Sequence, residues 1–290
     1  MPRRCLSDSV VVITGASSGI GRAAARAFAE RGATVVVAAR REAPLREVVE
    51  ECHARGARAL AMPTDVTDRE AVEQLARRAI ASFGRIDVWV NNAAVSLFAR
   101  FEETPFEEYR GVIETNLFGY IHGARAVLPH FREQGSGVLI NNASIVAYVG
   151  QPYTSAYVLS KFAIRGLGEC LRQELRDAPG IHISTLLPAS TDTPIFQHAA
   201  NHTGRAIKPM DPVYDARMVA ETIVRLAERP RREAFAGRAG QLLAWQKTLR
   251  RGGQACVPSS LKCTLQSLLQ RWPQCADGST KIGSSLGNYS

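Results

Sequence analysis

The sequence predicts an α/β protein with a single doubly wound parallel sheet flanked by helices. Apolar runs suited to strands buried on both faces alternate with longer, charged stretches that have a helical pattern. A glycine-rich turn follows the first apolar run directly and opens an alanine-rich helix. The alternation continues along the 290-residue chain, without an intervening linker, to about residue 250. It therefore indicates one large domain rather than two small ones.

The first unit is the strand VVVIT, Val10–Thr14, followed by the turn GASSGIG and a helix that ends near Gly32. Glycines at positions 15, 19 and 21 suit a tight turn, a close approach of the backbone to a pyrophosphate, and close packing of the helix on the sheet. The N–H groups at the start of that helix would face the anion. The predicted contacts from this turn are Gly15, Ser17, Ser18, Gly19, Ile20 and Gly21.

The following units repeat the pattern. The second has a strand at Ala33–Ala39 and a helix from about Glu42 to Arg55, and the third strand ends in PTD. Thr67 and Glu70 form a T-x-x-E capping box that predicts the start of the next helix. IDVWVNNAA predicts a fourth strand and GVLINNAS a fifth, with a long helical region over residues 106–131 between them. HISTLLP predicts a sixth strand, and this alternation favours a parallel sheet.

A tyrosine and a lysine four residues apart, Tyr157 and Lys161 in SAYVLSKFAIRGL, share one helical face. A cation fixed near a phenol favours the phenolate and lowers the tyrosine pKa from its usual ~10. Such a tyrosine can exchange protons with an alcohol or carbonyl oxygen. The spacing alone also fits a surface lysine one turn from a packing tyrosine. The glycine turn upstream favours the chemical interpretation.

The ordered motifs resemble those of the classical short-chain dehydrogenase/reductase (SDR) family over roughly residues 8–240. TGASSGIG matches the family's T-G-x-x-x-G-x-G, and NNAA at 91–94 matches its N-N-A-G. The family's catalytic positions correspond to Asn116, Ser144, Tyr157 and Lys161, with the required thirteen-residue interval between the serine and the tyrosine. The resemblance implies a Rossmann-type fold that binds NAD(P).

The resemblance also implies a role for each catalytic side chain. Ser144 would bind the substrate oxygen, Tyr157 would transfer the proton, and Lys161 would hold the nicotinamide ribose while lowering the tyrosine pKa. Asn116 would interrupt its helix and position a water that links the lysine to solvent. Taken alone, Asn116 also fits a helix-surface or capping residue.

The end of the second strand bears on the choice of dinucleotide. An acid there would bind the adenosine ribose of NAD, but the chain reads Ala39-Arg40-Arg41. A guanidinium suits the 2′-phosphate of NADP, so NADP(H) is the expected cofactor. Two solvated arginines are the alternative, and Glu42 keeps NAD(H) possible. The other positions that resemble cofactor contacts of the family are Asp65, Val66, Asn92, Ala93, Tyr157, Lys161, Pro188, Thr191 and Thr193.

Two positions depart from the family pattern. Ala94 and Ala189 stand where glycine is usual. Neither change removes a chemical group, so we expect an effect on cofactor affinity rather than on mechanism.

Three stretches would supply the walls of a substrate pocket, namely residues 95–101, 145–153 and 194–214. Their side chains favour an apolar or aromatic alcohol or ketone, although they also fit core and lid packing. The candidates are Leu97, Phe98, Phe101, Val146, Tyr148, Val149, Tyr153, Ile195 and Phe196.

Composition bounds the partners and the location. The net charge is +9, but the arginines are spread along many helices without an aromatic-interleaved basic cluster, so nucleic acid is not indicated. The six cysteines have no zinc spacing, which predicts no metal site. No apolar run approaches the ~18 residues of a membrane span, and the segment before the first strand is too short for a signal peptide. We expect a soluble, cytoplasmic protein, and the resemblance implies a homodimer or homotetramer.

From about residue 250 the composition shifts towards serine, glycine and cysteine, unlike the family pattern. We therefore expect an NAD(P)-binding domain at residues 1–250 and a weakly ordered tail at residues 251–290. The tail would be either a partner-binding appendage or a segment without function.

The function expected from these features is NADP(H)-dependent oxidation or reduction. A hydride would pass between nicotinamide and an apolar alcohol, ketone or aldehyde, with Tyr157 as general acid or base. One alternative is a catalytically weak NADP(H)-binding regulatory protein, against which the intact serine, tyrosine and lysine argue. The other is an epimerase or dehydratase of the same superfamily, disfavoured because the chain lacks a large substrate domain.

Overall fold

The structure, a computed structural model, describes residues 4–237. In this range the strands are β1 (Val10–Thr14), β2 (Thr34–Ala39), β3 (Ala59–Pro63), β4 (Val88–Asn91), β5 (Leu97–Phe98), β6 (Gly137–Asn142), β7 (Ile181–Pro188), β8 (Ala200–Asn201) and β9 (Glu233–Ala236). The α-helices are α1 (Gly19–Ala29), α2 (Glu42–His53), α3 (Arg69–Phe83), α4 (Phe106–Ile113), α5 (Gly119–Gln134), α6 (Ser155–Glu174) and α7 (Ala216–Glu228). Short 3-10 helices occupy Phe101–Glu103, Ile145–Ala147 and Pro194–Phe196.

Seven strands form one parallel sheet in the order β3-β2-β1-β4-β6-β7-β9. The predicted fold class is therefore confirmed. The order reverses between β1 and β4, and in sheets of this type the crevice outside the carboxyl ends at such a point is where ligands bind. The predicted tail at residues 251–290 lies outside the described residues.

Each face of the sheet packs against its own layer of helices. Val11 and Ile13 of β1 belong to one apolar cluster with residues of α1, α2 and α7. Val10 and Val12 belong to a second cluster with residues of α3 and α5. Successive side chains of a strand point to opposite faces, so a run of consecutive valines supplies both layers.

Helix α3 begins one residue later than the capping box predicts. Asp68 is the N-cap, and its Oδ1 accepts hydrogen bonds from the backbone N–H groups of Glu70 and Ala71 at 2.8 and 3.2 Å. The predicted cap at Thr67 is wrong, because its hydroxyl donates instead to Asp65 Oδ1 at 2.8 Å. An aspartate one position along serves the helix start at least as well as threonine.

The long helical region predicted over residues 106–131 is divided into two helices. A π-helical turn at Glu114–Phe118 separates α4 from α5, and Asn116 lies at its centre. Helix α5 continues to Gln134 and ends at Gly135, whose φ of 70° is left-handed. Among the described residues, no helix combines the length and apolar character needed to cross a membrane.

Candidate active site

Ser144, Tyr157 and Lys161 come together at the carboxyl edge of the sheet. Ser144 follows β6, and its hydroxyl lies close enough to the Tyr157 side chain to act on the tyrosine pKa. The same serine oxygen accepts from the backbone N–H of Val146 at 3.3 Å. One turn along α6, Lys161 Nζ lies 5.3 Å from the centre of the Tyr157 ring. The serine, phenol and ammonium predicted from the sequence are therefore neighbours.

Burial is the main cause of the pKa shifts of Tyr157 and Lys161. It raises the pKa of Tyr157 to about 12, although Ser144 acts in the opposite direction. Burial also lowers the pKa of Lys161 to about 7. The net pKa of Tyr157 is therefore raised rather than lowered as the sequence predicts, because loss of water disfavours the charged form of the phenol. At neutral pH Tyr157 is a protonated phenol, which is the form that donates to a carbonyl oxygen.

Asn116 is fully buried and joins two segments of the chain. Its Oδ1 accepts from the Val95 N–H at 2.8 Å, and its Nδ2 donates to the Val95 carbonyl at 2.9 Å. Nδ2 also lies 3.2 Å from Ser160 Oγ. Ser160 stands between Tyr157 and Lys161 in the sequence of α6. The π-helical turn agrees with the expectation that Asn116 interrupts its helix.

Three residues at this site were not among the sequence candidates. Lys161 Nζ donates to the backbone carbonyl of Asn142 at 2.9 Å, and the Tyr120 hydroxyl donates to the same oxygen at 2.8 Å. Ser160 is the third, through its contact with Asn116. A signal existed for Tyr120, which follows Asn116 at the i,i+4 spacing of one helical face. No comparable signal pointed to the Asn142 carbonyl.

The glycine turn closes tightly on the end of β4. A Cβ at Gly15, whose φ is +64°, would lie 2.6 Å from Ala93 Cα, and a Cβ at Gly21 would lie 2.3 Å from the Gly15 carbonyl oxygen. Asn92 Nδ2 donates to the carbonyls of Thr14 and Gly15 at 3.0 and 3.1 Å. Asn92 therefore stabilises the glycine turn through these hydrogen bonds, and Ala93 packs directly against Gly15.

The start of helix α1 has the geometry of an anion site. Ser18 is its N-cap with an extended backbone, and no side-chain hydrogen bond caps the helix. The first N–H groups of the helix are thus left for another acceptor. The four residues of this segment are half-buried, and they are Ser17, Ser18, Gly19 and Ile20.

The segment after β7 covers the turn. A Cβ at Gly19 would lie 3.1 Å from Thr193 Cγ2. Thr191 is buried, with its hydroxyl donating to the Ala189 carbonyl at 2.9 Å, and Pro188 is the buried last residue of β7. Thr193, one of the positions predicted to contact the cofactor, therefore lies against the glycine turn.

Arg40 and Arg41 are exposed just beyond the end of β2. Within residues 4–237 neither guanidinium pairs with a carboxylate, and Glu42 pairs with Arg46 at 2.7 Å instead. In the next unit Val66 packs against Gly119, where a Cβ would lie 2.8 Å from Val66 Cγ2. Asp65 accepts hydrogen bonds from the N–H and hydroxyl of Thr67.

The predicted pocket walls separate into different environments. Leu97 and Val146 are buried in apolar clusters that include Tyr157, whereas Phe101 is exposed. The Tyr148 hydroxyl donates to Glu233 Oε2, and the Arg165 guanidinium lies 4.2 Å from the Tyr148 ring centre. Burial and the neighbouring carboxylate raise the pKa of Tyr148 to about 12. Tyr148 is therefore held by a polar contact with Glu233 of β9, and it is not a purely apolar pocket residue.

Comparison with known proteins agrees with this geometry. The family model described as short chain dehydrogenase matches residues 9–204. The uncharacterised oxidoreductase YxnA of Bacillus subtilis is 38% identical over 242 residues, which are 82% of this chain and 68% of YxnA.

Two solved structures share the fold. An alcohol dehydrogenase from the archaeon Thermococcus sibiricus, complexed with 5-hydroxy-NADP, has a TM-score of 0.69 and 30% identity, covering 78% of this chain and 95% of that one. A short-chain dehydrogenase/reductase from Burkholderia phymatum, in complex with NAD, has a TM-score of 0.76 and 27% identity, covering 88% and 99%. Proteins similar to this chain thus bind either dinucleotide.

Proposed function

The chain belongs to the short-chain dehydrogenase family, and from that membership we propose an NADP(H)-dependent oxidoreductase that acts on an apolar alcohol, ketone or aldehyde. The observation that carries the proposal is that Ser144, Tyr157 and Lys161 are neighbours at the carboxyl edge of the sheet. Asn142 Nδ2 donates to Asn92 Oδ1 at 2.8 Å, which links this group to the glycine turn. Proton chemistry and dinucleotide binding would therefore share one crevice.

The residues present fit a bound dinucleotide. The turn is packed so tightly at Gly15 and Gly21 that no Cβ fits there, and the uncapped start of α1 at Ser18 offers N–H donors to a pyrophosphate. Asn142 Oδ1 and Ser190 Oγ are buried near the carboxyl edge without a hydrogen-bond partner among the described residues. When bound, the nicotinamide supplies or accepts the hydride.

The chain's own residues account for the proton. In the reducing direction, the hydroxyls of Ser144 and Tyr157 donate hydrogen bonds to the substrate carbonyl oxygen. Tyr157 then gives its proton to that oxygen, which becomes the alcohol hydroxyl, and the charged form of Lys161 stabilises the phenolate that remains. Oxidation runs the same transfer in reverse, with the phenolate as base. Asn116 and Ser160 hold helix α6 in place for this exchange.

The preference for NADP(H) over NAD(H) rests on charge at the end of β2. Arg40 and Arg41 are exposed there, and Glu42 is engaged by Arg46. A carboxylate neutralised in this way repels a 2′-phosphate less than a free one, while two guanidinium groups attract it. NAD(H) would bind through the same turn with less electrostatic support.

We further infer a homo-oligomer and a catalytic domain at residues 1–250. Leu159 on α6 and Phe118 in the π-helical turn are 53% and 41% exposed. The contact between Asn116 and Ser160 brings these two segments together. Large apolar side chains at the surface of joined helical segments suit a contact with a second copy of the chain.

The proposal is tested by following NADPH absorbance with a panel of apolar and aromatic ketones and aldehydes. We expect the wild type to turn over at least one of them, and Tyr157→Phe to lose about 100-fold or more in kcat/KM while still binding NADPH. Tyr109→Phe, which removes a hydroxyl from α4, serves as the matched control. Unchanged turnover in Tyr157→Phe would refute the mechanism. NADPH binding without turnover of any compound would favour the regulatory alternative.

A further inference from the structure

The ammonium of Lys161 has an unusually enclosed position. The side chain is 1% exposed, so its N–H groups have little access to water. Its hydrogen bond within the described part of the chain goes to the backbone carbonyl of Asn142, the last residue of β6. A buried ammonium depends strongly on such contacts, because the charged form has lost its hydration.

Tyr120 shares that carbonyl oxygen. It is also 1% exposed, and its hydroxyl donates to Asn142 O at 2.8 Å, from helix α5 on another side of the site. The centre of its ring lies 5.2 Å from Lys161 Nζ, within the distance for a cation–π interaction. One tyrosine thus contacts both the ammonium and the oxygen that the ammonium binds.

We propose that Tyr120 is a positioning residue for Lys161: the Tyr120 ring stabilises the ammonium, and the Tyr120 hydroxyl shares the Asn142 carbonyl oxygen that the ammonium binds. The inference rests on the proposed function, since it concerns the lysine that supports proton transfer by Tyr157. A phenylalanine would fill the same space but leave the carbonyl to the lysine alone. An aliphatic residue would remove both effects.

The two parts of Tyr120 act on the ammonium with opposite signs. The negative face of the ring favours the charged form of Lys161. The hydroxyl competes with the ammonium for one oxygen and so weakens that hydrogen bond. The titratable groups that face Nζ are Tyr157 on α6 and Tyr120 on α5, and no carboxylate within residues 4–237 pairs with it. Burial raises the pKa of Tyr120 well above its ordinary value, so its hydroxyl remains a donor at every working pH.

The pKa of Lys161 itself provides the test. The chain has five lysines, which are Lys161, Lys208, Lys247, Lys262 and Lys281. Lysine labelled with ¹³C and ¹⁵N therefore gives few NMR signals, and the signal missing from Lys161→Met identifies the buried one. We expect Tyr120→Phe to raise the Lys161 pKa, and Tyr120→Leu to lower it relative to Tyr120→Phe by roughly half a unit or more. If Tyr120 only fills space in the core, the Lys161 pKa should not rise in Tyr120→Phe and fall again in Tyr120→Leu.

Phe131→Leu is the matched control, because Phe131 is a fully buried aromatic residue of the same helix in a different apolar cluster. It should reduce thermal stability but leave the Lys161 pKa unchanged. Equal pKa values in the wild type, Tyr120→Phe and Tyr120→Leu would overturn the proposal. If Tyr120→Leu does not fold, the rise in Tyr120→Phe alone decides. The titration needs no NADPH, so it remains readable even if the enzyme assay finds no substrate.

Discussion

Asn116 Nδ2 lies 3.2 Å from Ser160 Oγ, and this contact joins the π-helical turn to the helix that carries Tyr157 and Lys161. Ser160 Oγ also donates to the Tyr157 carbonyl at 2.7 Å. A π-helical turn adds one residue to a helical turn and locally changes the direction of the side chains. The π-helical turn therefore allows Asn116 to contact Val95 in the loop after β4 and Ser160 on helix α6 at the same time.

Replacing these two residues should have unequal effects. Asn116→Ala removes the side chain that binds the half-buried N–H and C=O of Val95, so we expect a loss of about 1 to 3 kcal/mol in the free energy of unfolding and a fall of roughly 10-fold or more in kcat. Ser160→Ala keeps both bonds to Val95, so its kcat should fall only about 2- to 5-fold. Chemical denaturation and steady-state kinetics measure the two quantities. A larger loss in Ser160→Ala than in Asn116→Ala would contradict this order.

Cofactor preference depends on the exposed arginines after β2. Arg40→Ala should weaken NADPH binding by roughly 10-fold or more, because a charge-assisted contact to the 2′-phosphate is lost, and should change NADH binding little. Tryptophan or cofactor fluorescence gives both dissociation constants. Arg77→Ala, which removes an exposed arginine from α3, is the control and should change neither. Equal losses for NADPH and NADH in Arg40→Ala would refute the assignment.

The buried lysine should reduce stability in a manner that depends on pH. Its pKa is lowered to about 7 in the folded protein, whereas the unfolded value is ~10.4. Between these values the unfolded chain binds more protons, so the Lys161 contribution to stability rises with pH. Lys161→Met should therefore be more stable than the wild type at pH 7, with Tyr120 still donating to the Asn142 carbonyl.

The difference between the two proteins should narrow by about 2 kcal/mol from pH 7 to pH 9. Urea unfolding of both proteins at the two pH values measures it, and groups common to both cancel. A constant difference would show that Lys161 has an ordinary pKa in the folded state.

Binding of NADPH should take up a proton near neutral pH. Lys161 is only partly charged there, and a hydrogen bond from its ammonium to the cofactor would favour the charged form and raise its pKa. The affinity should then fall as the pH rises above about 7. Isothermal titration calorimetry in buffers of different ionisation enthalpy measures the proton count. Lys161→Met should bind NADPH more weakly and lose this proton uptake, and identical uptake in both proteins would assign it to another group.

Local signals in the sequence account for what could be predicted. Runs such as Val10–Thr14 and the glycines that follow them depend on neighbours in the chain, so the strands, the turn and the sheet follow from the pattern. The contact of Tyr120 with Asn142 depends on how α5 and β6 pack, which no short motif encodes. The raised pKa of Tyr157 likewise follows from burial in the folded protein, which outweighs the opposing effect of Ser144.

Leu159 provides the test of self-association. Its side chain is 53% exposed on α6, and burying an unpaired carboxylate in an apolar interface is strongly unfavourable. Leu159→Glu should therefore convert an oligomer into a monomer near the chain mass of 31.5 kDa. Light scattering coupled to size-exclusion chromatography gives the masses. Gln173→Glu adds the same charge at an exposed position of the same helix and should leave the oligomer intact. A wild type of monomer mass, or an oligomer that persists in Leu159→Glu, would rule out this surface as the contact.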